Sequence, residues 1–71
     1  MRLKVDLESD ALYFRISEEK IVNSEELSPG VIVDFGKKNK VVGVEILDIK
    51  KRFKMSELEK INVELPTAVS R

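Results

Sequence analysis

The sequence predicts an α+β fold: a four-stranded antiparallel β-meander of two hairpins, followed by a short C-terminal helix. Residues 2–7 and 11–17 alternate polar and apolar side chains, which is the period of a half-buried strand. Two runs rich in Val and Ile, at 31–35 and 41–48, flank a polar turn. Because turn formers separate the consecutive runs, we expect neighbouring strands to pair in sequence order.

The second hairpin, from Pro29 to Asp48, is the part around which the rest of the chain is arranged. A turn centred on residues 38–39 gives three apolar cross-strand pairs: Val31 with Ile46, Val33 with Val44, and Phe35 with Val42. A slip of one residue would bring Asp34 or Glu45 into this row, so the pattern fixes the parity of the pairing. Gly36 lies early in the loop, where it would fit a bulge.

The first hairpin is predicted from residues 2–17, with its turn at 8–10. Its predicted pairs are Leu7 with Leu12, Val5 with Phe14, and Leu3 with Ile16. The same register sets Lys4 opposite Arg15, a like-charge pair with a small cost. The inward side chains of both hairpins form the predicted core: Leu3, Val5, Leu7, Leu12, Phe14, Ile16, Val31, Val33, Phe35, Val42, Val44 and Ile46.

The two remaining segments are less regular. Residues 24–27 are interpreted as an extended edge, closed by the turn formers at 28–30. Ser56 and Glu59 match the spacing of a capping box, which predicts a helix over 57–61. Residues 62–65 would add a short strand, and Pro66 ends regular structure.

Composition predicts one small β-rich domain over 1–71, with the helix and tail at 53–71. The chain has no cysteine and no histidine, so thiolate chemistry, thiolate metal sites and imidazole bases are excluded. We therefore expect a binding or structural module rather than an enzyme, with no cofactor and no metal. Without a long apolar run or a signal-peptide pattern, the expected location is the cytoplasm, with no membrane contact.

A homodimer is the predicted state, because 71 residues bury a core of marginal size. Apolar residues on the face that the helix need not cover are the predicted partner or dimer surface: Tyr13, Ile32, Val41 and Leu47. Charge is also segregated. Residues 1–35 carry four positive and eight negative side chains, and residues 36–54 carry seven positive and two negative. Such patches suit association with a second copy or with a charged protein.

Two alternative functions remain open at the level of sequence. Asp34, Glu45 and Asp48 could hold a divalent metal for a hydrolytic enzyme, although solvated charges on an outer strand face are the more ordinary interpretation. A basic run could bind nucleic-acid phosphates weakly, through Lys50, Lys51, Arg52 and Lys54. The zero net charge argues against a nucleic-acid surface.

Three motifs carry a resemblance to a known family: the run Asp-Ala-Leu-Tyr at 10–13, Ser-Pro-Gly-Val with Val33-Asp34 at 28–34, and Val-Val-Gly-Val-Glu-Ile-Leu-Asp at 41–48. With them, residues 2–48 resemble the small prokaryotic family called domain of unknown function 2283. The resemblance implies a β-rich fold without an established activity. It also implies an antitoxin-like, protein-binding role beside small toxins of the RelE type.

Overall fold

Five strands and two short helices make up the described part of the chain, residues 1–66 of a computed structural model. The strands are β1 (Arg2–Asp6), β2 (Ala11–Arg15), β3 (Asn23–Ser28), β4 (Val31–Phe35) and β5 (Val41–Leu47). The helices are α1 (Ile49–Arg52) and α2 (Met55–Leu58). One antiparallel sheet has the order β1-β2-β5-β4-β3.

The predicted α+β class, the antiparallel pairing and both hairpins are confirmed, whereas the four-stranded meander is wrong. The fifth strand is β3, which covers the predicted extended edge and pairs with β4. All six residues of β3 are exposed, and five of them are polar. No apolar alternation therefore marked this segment as a strand. The chain also passes from β2 to the far edge of the sheet before it returns through β4 to β5, the actual neighbour of β2.

The register of the first hairpin differs from the prediction by two residues. Val5 lies opposite Leu12, and Leu3 lies opposite Phe14, so the apolar parity is kept but the partners change. The reason is the turn: the Asp6 carboxylate accepts hydrogen bonds from the backbone N–H groups of Glu8 and Ser9. This ends β1 before Leu7, and a left-handed Asp10 completes the turn.

In the central hairpin, the predicted pairs Val31 with Ile46 and Val33 with Val44 are confirmed. The third pair is wrong, because Phe35 lies opposite Val41. A bulge inserts Val42 as an extra residue in β5, and the carbonyl of Val42 accepts backbone hydrogen bonds from Ile16 and Ser17. The bulge therefore ties the end of β2 to β5, a long-range contact that the local pattern does not contain.

Strand alternation gives the sheet two different faces. One face, called here the apolar face, carries only aliphatic and Phe side chains in the register of the four strands β1, β2, β5 and β4. They are Leu3, Val5, Leu12, Phe14, Val31, Val33, Phe35, Val44 and Ile46. The opposite side, called the mixed face, carries Tyr13, Ile32 and Leu47 among charged side chains: Lys4, Asp6, Arg15, Glu26, Asp34 and Glu45.

Only two residues of the predicted core are buried, Val33 and Val42, and of these Val42 is fully buried. Most of the others are half-buried, while Leu3 and Leu7 are exposed. The other buried apolar side chains among the described residues are Ala11 and Ile49. Residues 1–66 therefore form a single-layer sheet whose apolar face is not sealed from water.

The C-terminal part differs most from the prediction. The predicted short C-terminal helix is present, but its bounds differ: α2 is Met55–Leu58 instead of about 57–61, and its first-turn bond runs from the Lys54 backbone N–H to the Glu57 carboxylate. Ser56 thus lies inside the helix instead of capping it. Residues 61–66 have no strand partner within the described chain, so the predicted strand over 62–65 is absent. The end of the predicted tail, residues 67–71, lies outside the described residues.

Helix α1 was not predicted. Asp48 takes a left-handed conformation before it, and the backbone N–H groups of Ile49 and Lys50 donate to the carbonyl and the carboxylate of Asp10, respectively. These bonds dock α1 against the turn between β1 and β2. Ile49, the residue that anchors α1, has no exposed surface.

We expect Ile49→Ala to lower the free energy of unfolding by about 2–4 kcal/mol, because it removes a fully buried aliphatic side chain and leaves a cavity. Urea unfolding followed by circular dichroism measures this change. Met55→Ala is the control, since Met55 is 46% exposed and its loss should cost well under half as much. Equal effects of the two substitutions would contradict the anchoring role of Ile49.

Candidate functional site

Two hydrogen bonds join polar side chains of three strands across the mixed face. The Tyr13 hydroxyl on β2 donates to Asp34 Oδ2 on β4 at 2.8 Å. Ser24 on the edge strand β3 donates to Asp34 Oδ1 at 2.6 Å. Both carboxylate oxygens of Asp34 therefore accept a hydrogen bond. The two bonds link β2, on one side of β5, to β4 and β3, on the other side.

Gly43 makes this arrangement possible. It lies on β5 between Tyr13 and Asp34, and the phenol ring crosses directly over it. A Cβ atom at position 43 would collide with the Tyr13 hydroxyl and would lie 2.9 Å from Cζ. A larger residue would thus push the hydroxyl away from its acceptor. The glycine inside a Val-rich strand was the available sequence signal for this close approach, and the sequence interpretation missed it.

The environment of Tyr13 changes its acidity. Partial burial disfavours the phenolate, and the hydrogen bond to the Asp34 carboxylate does so further. Both effects raise the pKa of Tyr13 above its ordinary value of 10.0, against a smaller opposing effect of Arg15. The neutral phenol is therefore the form that the fold stabilises. This part of the stability is fully present below about pH 10 and is lost as pH rises through the raised pKa.

We expect ultraviolet titration to show Tyr13 ionising above its ordinary pKa, and Asp34→Asn to bring that pKa down, because the neighbouring negative charge is removed. The measurement is clean, since the chain has a single tyrosine and no tryptophan. Glu45→Gln serves as the control for a general charge effect. A titration that is unchanged in Asp34→Asn would contradict the hydrogen bond.

Two shallow depressions accompany the sheet. The first has a volume of about 140 Å³, lies beside Tyr13 on the mixed face, and is lined by Lys4, Asp6, Ser9, Ala11, Tyr13 and Glu45. The second, of about 240 Å³, is bordered by Glu19, Lys20 and Lys37. Pockets for small-molecule ligands are typically about 300–1,000 Å³. Neither depression has the size of such a pocket.

The four residues predicted as a partner or dimer surface do not lie together. Tyr13, Ile32 and Leu47 are on the mixed face, where Glu45 lies between Tyr13 and Ile32 in the register. Val41 lies opposite Phe35 because of the bulge, which places it with the apolar face. The bulge was invisible in the alternation, so the parity of Val41 was assigned wrongly.

The three carboxylates of the alternative metal hypothesis are also separated by the fold. Asp34 is engaged by Tyr13 and Ser24, Glu45 borders the smaller depression, and Asp48 precedes α1. Among residues 1–66, no three Asp or Glu side chains are grouped closely enough to hold a metal ion. The hypothesis of a hydrolytic metal site at these three residues is therefore not supported.

The basic run falls on α1 and just after it. Arg52 is a structural residue: its Nε donates to the Leu47 carbonyl at 2.7 Å, and its Nη2 donates to the Pro29 carbonyl. It thereby fastens α1 to the turn between β3 and β4. The other three residues, Lys50, Lys51 and Lys54, are exposed, and the ion pairs found within residues 1–66 lie elsewhere.

We expect Arg52→Ala to lower the free energy of unfolding by about 1–2 kcal/mol, since two hydrogen bonds from a charged group are lost. Lys51→Ala should change it by less than about 0.5 kcal/mol, as an exposed surface substitution. Chemical denaturation of the two variants measures the difference. If Arg52→Ala unfolds like Lys51→Ala, the guanidinium does not hold α1 in place.

Two comparisons with known proteins found a match, one with a family model and one with a curated protein. The family model described as a protein of unknown function, DUF2283, matches residues 2–50. A Methanosarcina mazei protein named "Putative hypoxanthine phosphoribosyltransferase" is 32% identical over 59 residues, which are 83% of this chain and 47% of that protein. The chain thus spans about half the length of this relative. No solved structure matches.

Fold and site together define a small α+β protein with one antiparallel sheet, an apolar face and a polar hydrogen-bonded chain on the other. In residues 1–66, no helix has the length and hydrophobicity needed to cross a membrane. The family match covers both hairpins and the start of α1. The chain belongs to the DUF2283 family, which confirms the resemblance found in its sequence.

Proposed function

We propose that the protein is a non-catalytic protein-binding module that acts as a homodimer, with the apolar face of the sheet as its interface. The supporting observation is the state of that face. Nine aliphatic or Phe side chains lie side by side on four strands, and among them only Val33 is buried. A contiguous apolar surface of this kind marks an interaction site on a soluble protein.

The two helices are too short to cover this surface. Each has four residues and so a length of about 6 Å, whereas five strands spaced about 4.8 Å apart span roughly 19 Å from the first strand axis to the last. Phe53 and Leu58 are themselves only half-buried. The remainder of the face needs another layer, as in sheets that pack face to face about 10 Å apart.

A second copy of this chain fits as that layer. An isologous interface brings the same patch together on both subunits, and the apolar face has no charged side chain on β1, β2, β5 or β4 that would be desolvated. The only carboxylate that shares this face in the register is Glu25, on the edge strand β3. The net charge of zero removes overall repulsion between the copies.

The more specific form of this proposal is the antitoxin-like role implied by the family resemblance, with a small RelE-type toxin as the partner. It uses the same apolar face, occupied by the toxin instead of a second copy. Co-purification from the native host distinguishes the two, because a toxin would appear as a second stoichiometric band. The apolar face favours the homodimer of these two proposals, because it carries no charge on β1, β2, β5 or β4 and can pack against the same face of a second copy.

We expect wild-type protein to sediment as a dimer at micromolar concentration and Val31→Lys to shift it to a monomer of 8.1 kDa. Val31 is on the apolar face, and a lysine there would have to be desolvated in the dimer. Analytical ultracentrifugation measures the mass, and circular dichroism reports whether the variant remains folded.

The matched control is Ile32→Lys, the next residue along β4 and therefore on the mixed face. Its lysine would lie between Glu26 and Glu45 on the neighbouring strands, an arrangement that favours the fold. This variant should remain dimeric. A wild-type monomer over the whole concentration range, or dissociation by Ile32→Lys and not by Val31→Lys, would overturn the apolar-face dimer.

A further inference from the structure

The segment after α2 has the pattern of a strand but none of the contacts of one. Ile61, Val63 and Leu65 alternate with Asn62 and Glu64, as in the strands of the sheet. Val63 and Leu65 are nevertheless 86% and 80% exposed, and the segment pairs with no strand of residues 1–66. A period-two apolar pattern left this exposed requires a surface outside its own chain.

We propose that residues 60–64 of one subunit add as an antiparallel strand to the free edge of β1 in a second copy. This deepens the proposed homodimer and rests on it. Edge strands present unpaired backbone N–H and C=O groups, and an extended segment with alternating side chains is the kind of ligand that they bind.

One register satisfies all five residues of β1. It gives two apolar pairs, two opposite-charge pairs and one polar pair: Leu3 with Val63, Val5 with Ile61, Arg2 with Glu64, Asp6 with Lys60, and Lys4 with Asn62. The apolar members would widen the apolar face, and the charged members would lie on the mixed face. Cross-strand pairs of both kinds stabilise a sheet.

The other free edge, β3, fits the segment poorly. Its positions on the apolar face are Asn23, Glu25 and Ser28, which would lie against the apolar side of the segment. On the same face, β1 offers Leu3 and Val5. Polarity therefore selects β1.

The area of the apolar face also favours an added strand at the dimer interface. Four strands of about five residues give the apolar face a projected area of roughly 320 Å² per subunit. Two such faces give roughly 640 Å², whereas stable specific interfaces bury about 1,200–2,000 Å² in total. Two added strands, one from each subunit, bury further apolar side chains and bring the dimer toward that range.

The test uses the absence of cysteine in the natural sequence. The double variant Lys4→Cys/Asn62→Cys, which places thiols at a directly opposed pair, is oxidised and run on a non-reducing gel. We expect a disulfide-linked dimer in yield well above that of Glu26→Cys/Asn62→Cys, which probes the β3 edge on the same mixed face. A monomer with an internal disulfide would place the segment on its own β1, and equal yields of the two variants would indicate random collision; either result overturns the proposal.

A second comparison needs no cysteine. Asn62→Pro and Val63→Pro are tested separately, because successive N–H groups of a strand point to opposite sides and one of the two substitutions removes a donor to β1. We expect that variant to raise the dimer dissociation constant at least tenfold. Val63→Thr keeps the branched shape and should have a much smaller effect. If the wild type is a dimer and neither proline variant changes its dissociation constant, the strand addition is wrong while the apolar-face dimer stands. If the wild type is a monomer, both proposals fail.

Discussion

The hydrogen bond from Tyr13 to Asp34 across Gly43 is the interaction on which the arrangement of the sheet depends. The two hairpins are distant in the chain and meet only where β2 pairs with β5. A side chain from one hairpin that binds a carboxylate on the other fixes this junction, and the Val42 bulge fixes it from the backbone. Ser24 extends the same link to the edge strand β3. Hydrogen bonds on the mixed face thus help to specify how the two hairpins and β3 pair in the sheet.

The apolar face has no complete covering layer within residues 1–66. Of these residues, 28 are in strands and eight are in the two short helices. The helices serve instead to close one end of the sheet: Ile49 docks at the first turn, and Arg52 reaches the turn before β4. The described sheet therefore resembles half of a β-sandwich, and the homodimer proposed above would supply the other half.

Charge differs between the two edges of the sheet. The edge strand β1 is basic near its start, the edge strand β3 is acidic, and the exposed lysines of the basic run lie near α1. Differently charged edges disfavour indiscriminate pairing while permitting a matched strand. Arg52, the member of the basic run with the strongest structural role, could not be distinguished from its lysine neighbours by composition, because its partners are backbone carbonyls distant in the sequence.

The sequence by itself determined the fold class, both hairpins, the apolar parity of their strands and the family, because these depend on side-chain alternation and on local turn residues. Only the tertiary structure decided the place of β3, the shift by two residues in the first hairpin and the bulge at Val42. It also decided that Tyr13 bonds to Asp34 and that Val41 leaves its predicted surface. Each of these rests on backbone hydrogen bonds or on contacts between distant residues, which a polar edge strand or a single glycine does not reveal in a periodic pattern.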